Sequence, residues 1–103
     1  MFAVLVELNA KPLAVAELAD VLSGLADIAR DEADNLIYAV HRQQANEQAF
    51  VLYELYRDCA AWQAHLAIDA VQRALQQFEN LLTAAPRIVH CDSVALAGVE
   101  QAG

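Results

Sequence analysis

The sequence predicts an α+β fold of the ferredoxin-like type, in the order strand, helix, strand, strand, helix, strand. Two observations carry this prediction. Four segments have strand composition, and the two intervening stretches repeat apolar residues at three- and four-residue steps. Only 3 glycines and 2 prolines occur in 103 residues, so the elements must be long and the turns few. A chain of this length has room for one domain, residues 1–103, with 96–103 read as a frayed tail.

Phe2 to Leu8 is apolar at almost every position, which suits a strand buried on both faces. Pro12 fits the first turn of a helix, because its missing N–H would have no partner there. Leu18, Val21, Leu22, Leu25, Ile28 and Ala29 then form a helical stripe ending near Arg30. Asn35 to Arg42 alternates as a second strand, and the polar Gln43–Gln48 stretch reads as a hairpin loop. Phe50 to Tyr56 is a third strand. Asp58 is placed to cap the next helix, which runs through Ala60–Ala67 and Val71–Ala84 with a break near Ile68-Asp69. Pro86 is expected to end that helix, and Arg87 to Leu96 to form the fourth strand.

With both helices on one sheet face, a monomer would show a polar opposite face. Here Phe50, Leu52 and Tyr56 oppose Val51, Tyr53 and Leu55, and Phe2, Val4, Val6 and Leu8 oppose Ala3 and Leu5. A second apolar face needs a cover, and sheet-on-sheet packing in a homodimer is the simplest one.

Composition excludes several classes of function. Hydrophobic residues make up 58%, and 38 apolar residues remain after the 22 alanines are set aside, ample for a core. A net charge of −8 disfavours nucleic acid and anionic membrane surfaces. No apolar run approaches the ~20 residues of a membrane span. The start Met1-Phe2-Ala3-Val4 lacks the basic segment of a signal peptide, so a cytoplasmic location is expected. Cys59 and Cys91 are too few for a disulfide framework. His41, His65 and His90 lack metal-site spacing, and no glycine-rich phosphate loop occurs, so no metal or organic cofactor is expected.

The segment Phe50-Val51-Leu52-Tyr53-Glu54-Leu55-Tyr56-Arg57-Asp58, followed by Ala61-Trp62-Gln63-Ala64-His65-Leu66, resembles the signature of the antibiotic biosynthesis monooxygenase (ABM) family. Glu32-Ala33-Asp34-Asn35-Leu36-Ile37-Tyr38 resembles that family's entry into its second strand. The resemblance spans roughly residues 1–96 and implies a dimeric α+β barrel with a pocket between sheet and helices. It also implies oxidation of hydroquinones or anthrone-like aromatics without metal or flavin, although other relatives do non-oxidative chemistry. The sequence departs from the family pattern in places. Asp34 stands where a glycine is frequent, and Ile68-Asp69-Ala70 replaces a step that commonly carries a second histidine. Haem-degrading relatives use a strand Asn, a strand Trp and a helix His, where this chain has Glu7, Tyr56 and Leu75, which argues against haem.

His65 is the leading candidate for catalysis. It lies one helical turn after Trp62, and an imidazole titrates near neutrality and can take a phenolic proton. The competing reading is a histidine that only hydrogen-bonds within the helix–sheet interface. Glu54, in an otherwise apolar strand, needs a partner or a raised pKa; it can orient His65 or pair with an arginine. Asn35 and Tyr38 are candidates to hold a substrate oxygen, with Asn35 equally readable as a turn residue. Tyr56 and Trp62 are candidates for stacking on substrate or for plain core packing. Together these residues suggest a cofactor-independent monooxygenase acting on an electron-rich aromatic with O2. The rival readings are a non-oxidative small-molecule-binding dimer and a proton-transfer isomerase.

Overall fold

A computed structural model describes residues 1–98. The strands are β1 (Phe2–Asn9), β2 (Asn35–Arg42), β3 (Ala49–Tyr56) and β4 (Arg87–Asp92). A 3-10 turn, Pro12–Ala14, leads into α1 (Val15–Ala29), and α2 (Cys59–Leu66), α3 (Asp69–Gln76) and α4 (Phe78–Leu81) follow β3. The four-stranded sheet has the order β2-β3-β1-β4, and every neighbouring pair is antiparallel. This is the expected ferredoxin-like α+β arrangement, with the two apolar strands β1 and β3 at its centre.

Alternation decides which side chains face the helices. Val4, Val6 and Leu8 of β1 and Phe50, Leu52 and Tyr56 of β3 are buried in one core cluster with Leu18, Leu22 and Leu25 of α1. The other face carries Ile37 and Ala39 of β2, Tyr53 and Leu55 of β3, Ala3 and Leu5 of β1, and Val89 and Cys91 of β4. On it Leu5 and Val89 are 37% and 42% exposed, so this apolar surface remains partly uncovered in one chain.

Asp58 caps α2 as expected, its carboxylate accepting the Ala61 N–H at 2.8 Å. Three boundaries differ from the sequence reading. The stretch Val71–Ala84 is not one helix: it divides at Gln77, and α4 stops at Leu81, well before Pro86. The cause is a competing partner, because Leu82 bridges Ala10 and the Thr83 N–H bonds the Asn9 carbonyl at 2.9 Å, pulling the chain into extended form. β4 ends at Asp92 instead of Leu96, because Asp92 already pairs with Phe2 and Ser93 bonds to Met1, where β1 runs out. The expected tail falls, from residue 99 onward, outside the described residues.

β2 contains a register shift between Asn35 and Ile37. In a regular strand Asn35 and Tyr38 would face opposite sides, being an odd number of residues apart. The extra residue re-aims the strand end, so Asn35 pairs with Tyr56 and Tyr38 with Glu54, both on the helix face.

Leu22 is fully buried between α1 and the sheet. Leu22→Ala should therefore cost ~2–5 kcal/mol, read as a lowered urea midpoint, because both transfer energy and a residual cavity are lost. A loss below about 1 kcal/mol would mean that α1 packs loosely on the sheet.

Candidate active site

A cavity of about 300 Å³ lies between the helix face of the sheet and α1 to α4. Val4, Val6, Leu52, Val71, Leu75 and Ile88 supply much of its apolar wall, and Tyr38, Glu54, Trp62 and His65 its polar groups. The chain brings these together for simple reasons. Glu54 falls on the helix face because it alternates with Leu52 and Tyr56, and Tyr38 is its cross-strand partner. Trp62 and His65 are one turn apart on α2, whose start is fixed by the Asp58 cap.

His65 is 2% exposed. Its Nδ1 lies 2.8 Å from Oε2 of Glu32, a residue in the turn between α1 and β2. With Glu32 ionised, Nδ1–H donates, which fixes the tautomer and leaves Nε2 as the basic nitrogen. Among the described residues Nε2 makes no hydrogen bond, and it is not a sealed atom. The rings of Tyr38 and Tyr56 sit against the imidazole, with centroids 5.6 Å and 5.7 Å away.

The sequence reading left Glu54 either to orient His65 or to pair with an arginine, and among the described residues it does neither. Glu32 orients His65, and Glu54 instead accepts a hydrogen bond from the Tyr56 hydroxyl at 2.6 Å through Oε1. Burial is the main reason that the Glu54 carboxyl is pushed above its ordinary value, with the charge of Glu32 adding to it; the Tyr56 hydrogen bond and the nearby His65 act in the opposite direction. Burial also raises the Tyr38 and Tyr56 hydroxyls, and the Glu54 carboxylate raises both further. The two tyrosines therefore stay protonated, and Tyr56 donates to Glu54.

The remaining candidates separate. Tyr38 and Trp62 line the cavity, whereas Tyr56 is fully buried outside its lining. Asn35 lies off the main cavity and lines a smaller one of about 140 Å³ with Arg30, Leu36 and Tyr38. Its Nδ2 is 3.5 Å from Glu32 Oε2, and its buried Oδ1 has no partner. Trp62 also packs against His90 and Phe2, with ring centroids at 4.6 Å and 5.6 Å.

Glu32 escaped the sequence reading as a site residue, since nothing local pairs it with a histidine 33 positions away. Asp34 explains how its turn is held. The Arg57 side chain donates to Asp34 Oδ1 at 2.8 Å, and the Arg57 N–H bonds the Asp34 carbonyl at 3.0 Å. The turn bearing Glu32 is thereby tied to the segment that leads into α2. Among the described residues, no three His, Cys, Asp or Glu side chains are grouped so as to hold a metal ion. Nor is any helix long and apolar enough to cross a membrane.

The sequence profile of the antibiotic biosynthesis monooxygenase family matches residues 1–77. The chain belongs to the ABM family. Among solved structures, PA3566 from Pseudomonas aeruginosa is 26% identical, with 91% of this chain and 94% of that chain covered and a TM-score of 0.84. NE2512 from Nitrosomonas europaea, a protein described as of unknown function, is also 26% identical, with 99% and 95% covered and a TM-score of 0.83. The crystal structure of an antibiotic biosynthesis monooxygenase, at 24% identity, covers 92% of this chain and 100% of its own with a TM-score of 0.86, a likeness of fold. No curated protein matches the chain.

The raised Glu54 carboxyl makes stability depend on pH. Above the ordinary value of 4.5 the unfolded chain releases a proton that the folded chain retains. Folded protein then binds more protons, so stability falls as pH rises from 4.5 through the folded pKa. Urea titrations across that range should show the native protein losing stability relative to Glu54→Gln, which carries no such proton. Parallel curves would refute the buried, proton-retaining carboxyl.

Proposed function

We propose that this ABM protein is a cofactor-independent monooxygenase that deprotonates an electron-rich aromatic, such as an anthrone or hydroquinone, and lets the resulting anion react with O2. The observation that carries the reading is a buried imidazole, held by a carboxylate, in the wall of an apolar cavity. His65 would be the base, through Nε2. Glu32 would stabilise the imidazolium once the proton is taken. Tyr38 and Trp62 would position the aromatic substrate, with Glu54 on the cavity wall beside them, while Asn35 and Tyr56 would support that arrangement from outside the cavity.

For an anthrone-type methylene the chemistry balances without added reductant. His65 removes one C–H proton, and the carbanion passes an electron to O2, giving a substrate radical and superoxide. Their recombination forms a C–O bond, and the imidazolium returns its proton to give a hydroperoxide. Loss of the second C–H proton with cleavage of the O–O bond leaves a carbonyl and one water. The substrate supplies all four electrons, so no flavin, haem or metal is required. An apolar wall suits this sequence, because it binds a flat neutral ring and keeps water from the carbanion.

A proton-transfer isomerase is the competing use of the same groups, since His65 and Glu54 both line the cavity and could take and return a proton. Oxygen consumption separates the two. Anthrone or a simple hydroquinone should support oxygen uptake above the uncatalysed rate, and the activity should survive dialysis against a chelator. His65→Ala should lower turnover ~10²–10⁴-fold while the far-ultraviolet circular dichroism is unchanged. Substrate rearrangement with no oxygen uptake would favour the isomerase.

The homodimer belongs to the same proposal. Ile37, Ala39, Tyr53, Leu5 and Val89 lie on an apolar sheet face away from the cavity, where Leu5 and Val89 are exposed, and a second copy would cover it. Sedimentation at micromolar concentration should give twice the chain mass, and Leu5→Lys should yield a monomer. A native monomer would overturn the assembly without touching the cavity.

A further inference from the structure

We propose that Glu54 is the ligand-recognition residue of the cavity, presenting its free carboxyl oxygen to a hydroxyl or carbonyl group of an uncharged ligand, and that the cavity rejects anionic ligands. The inference deepens the oxygenase reading by naming the substrate class, and it rests on that reading only for the chemistry that follows binding.

Three observations support it. First, the carboxyl group is half-satisfied. Tyr56 donates to Oε1, whereas Oε2 has no hydrogen bond among the described residues and is not sealed from space. A carboxyl with one oxygen unused by the protein, set on an otherwise apolar wall, offers a ligand oxygen a hydrogen bond that the rest of that wall does not. Second, Tyr56 is itself fully buried, so Glu54 is braced from behind and its free oxygen has little freedom to turn away. Third, no lysine or arginine is among the residues that line the cavity. The histidine in that lining, His65, is already paired with Glu32 at 2.8 Å.

The two protonation states of Glu54 lead to the same selectivity. Protonated, the group donates to a carbonyl or phenol oxygen; ionised, it accepts from a hydroxyl. In neither state does the cavity offer a cation to replace the lost hydration of a carboxylate, sulfonate or phosphate. When ionised, Glu54 adds direct repulsion. The apolar wall provided by Val4, Val6, Leu52 and Ile88 then sets the remaining requirement, a flat hydrocarbon body.

Three matched probes test this by titration calorimetry on the native protein: 2-naphthol, naphthalene and 2-naphthoate. The expected order is 2-naphthol first, about tenfold tighter than naphthalene, with 2-naphthoate weakest. Glu54→Gln keeps an acceptor for Tyr56 and a donor for the ligand, and should retain the preference for 2-naphthol over naphthalene. Glu54→Leu should abolish it. Because that change orphans the Tyr56 hydroxyl and can weaken the fold, the double variant Glu54→Leu/Tyr56→Phe serves as the second form and should behave alike. Tighter binding of 2-naphthoate than of 2-naphthol, an unchanged 2-naphthol preference in the double variant, or no binding of any probe at millimolar concentration would each overturn the proposal. These outcomes are distinct from those of the oxygenase test. The probe order without oxygen uptake from anthrone would leave Glu54 as the recognition residue and remove the oxygenase, and oxygen uptake without the probe order would do the reverse.

Discussion

The bond between His65 and Glu32 is the constraint on which the arrangement of the site depends. An imidazole at 2% exposure needs a partner for its polar atoms, and α2 itself offers none, because its backbone acceptors are used within the helix or by its cap. The partner comes from the α1–β2 turn, so two segments distant in sequence must meet at hydrogen-bond length. The Asp58 cap fixes where α2 begins, and Arg57 beside it grips Asp34 two residues beyond Glu32. The surface pair between Arg57 and Asp34 contributes little stability where it is half-exposed, but it shares a turn with the hydrogen bond between Glu32 and His65 and so helps to hold that bond in place. Asp34, through its side chain and its carbonyl, thus has a structural task in this turn.

Two carboxylates flank the cavity under different conditions. Glu32 is partly exposed and lies 2.8 Å from His65 Nδ1. Glu54 lies inside the sheet–helix layer, where burial favours the neutral form and Tyr56 pulls the other way. A pair of carboxyls in unlike surroundings can divide the work of stabilising a cation and hydrogen-bonding a neutral oxygen, which a symmetric pair could not do. Tyr38, held protonated by burial and by the nearby carboxylates, adds a donor without adding charge.

Much of this was legible in the sequence. The strand and helix order followed from periodicity, and His65 and Glu54 stood out as polar residues set in apolar patterns. What escaped was set by contacts between distant segments. Nothing near Glu32 marks it as the partner of a histidine 33 residues on. The bulge at the start of β2 is equally silent, yet it alone puts Asn35 and Tyr38 on one face. The helix stretch after Val71 was read as continuous because its apolar spacing continues, while the bridge between Leu82 and Ala10 overrides local propensity. The strand after Arg87 was read too long because β4 has a partner only as far as β1 extends.

The sheet separates two tasks by the simplest property of a strand. Successive residues of β1 and β3 point to opposite sides, so Val4, Val6, Leu52 and Glu54 build the cavity, whereas Leu5, Tyr53 and Leu55 build the opposite apolar face. A substitution on one side leaves the other side's chemistry in place, provided that the register holds. Register does hold strongly here, because a slip by one residue would carry Glu54 out of the cavity and put Tyr53 in its place, exchanging a braced carboxyl for a phenol and burying the wrong face of two strands at once. The same alternation gives a physical reason why one fold can serve different chemistries: the inward-facing positions can be exchanged one by one while the outward face, and the strand pairing beneath it, stay as they are. In this chain the inward set is a histidine held by one carboxylate, with a second, braced carboxyl on an otherwise apolar wall.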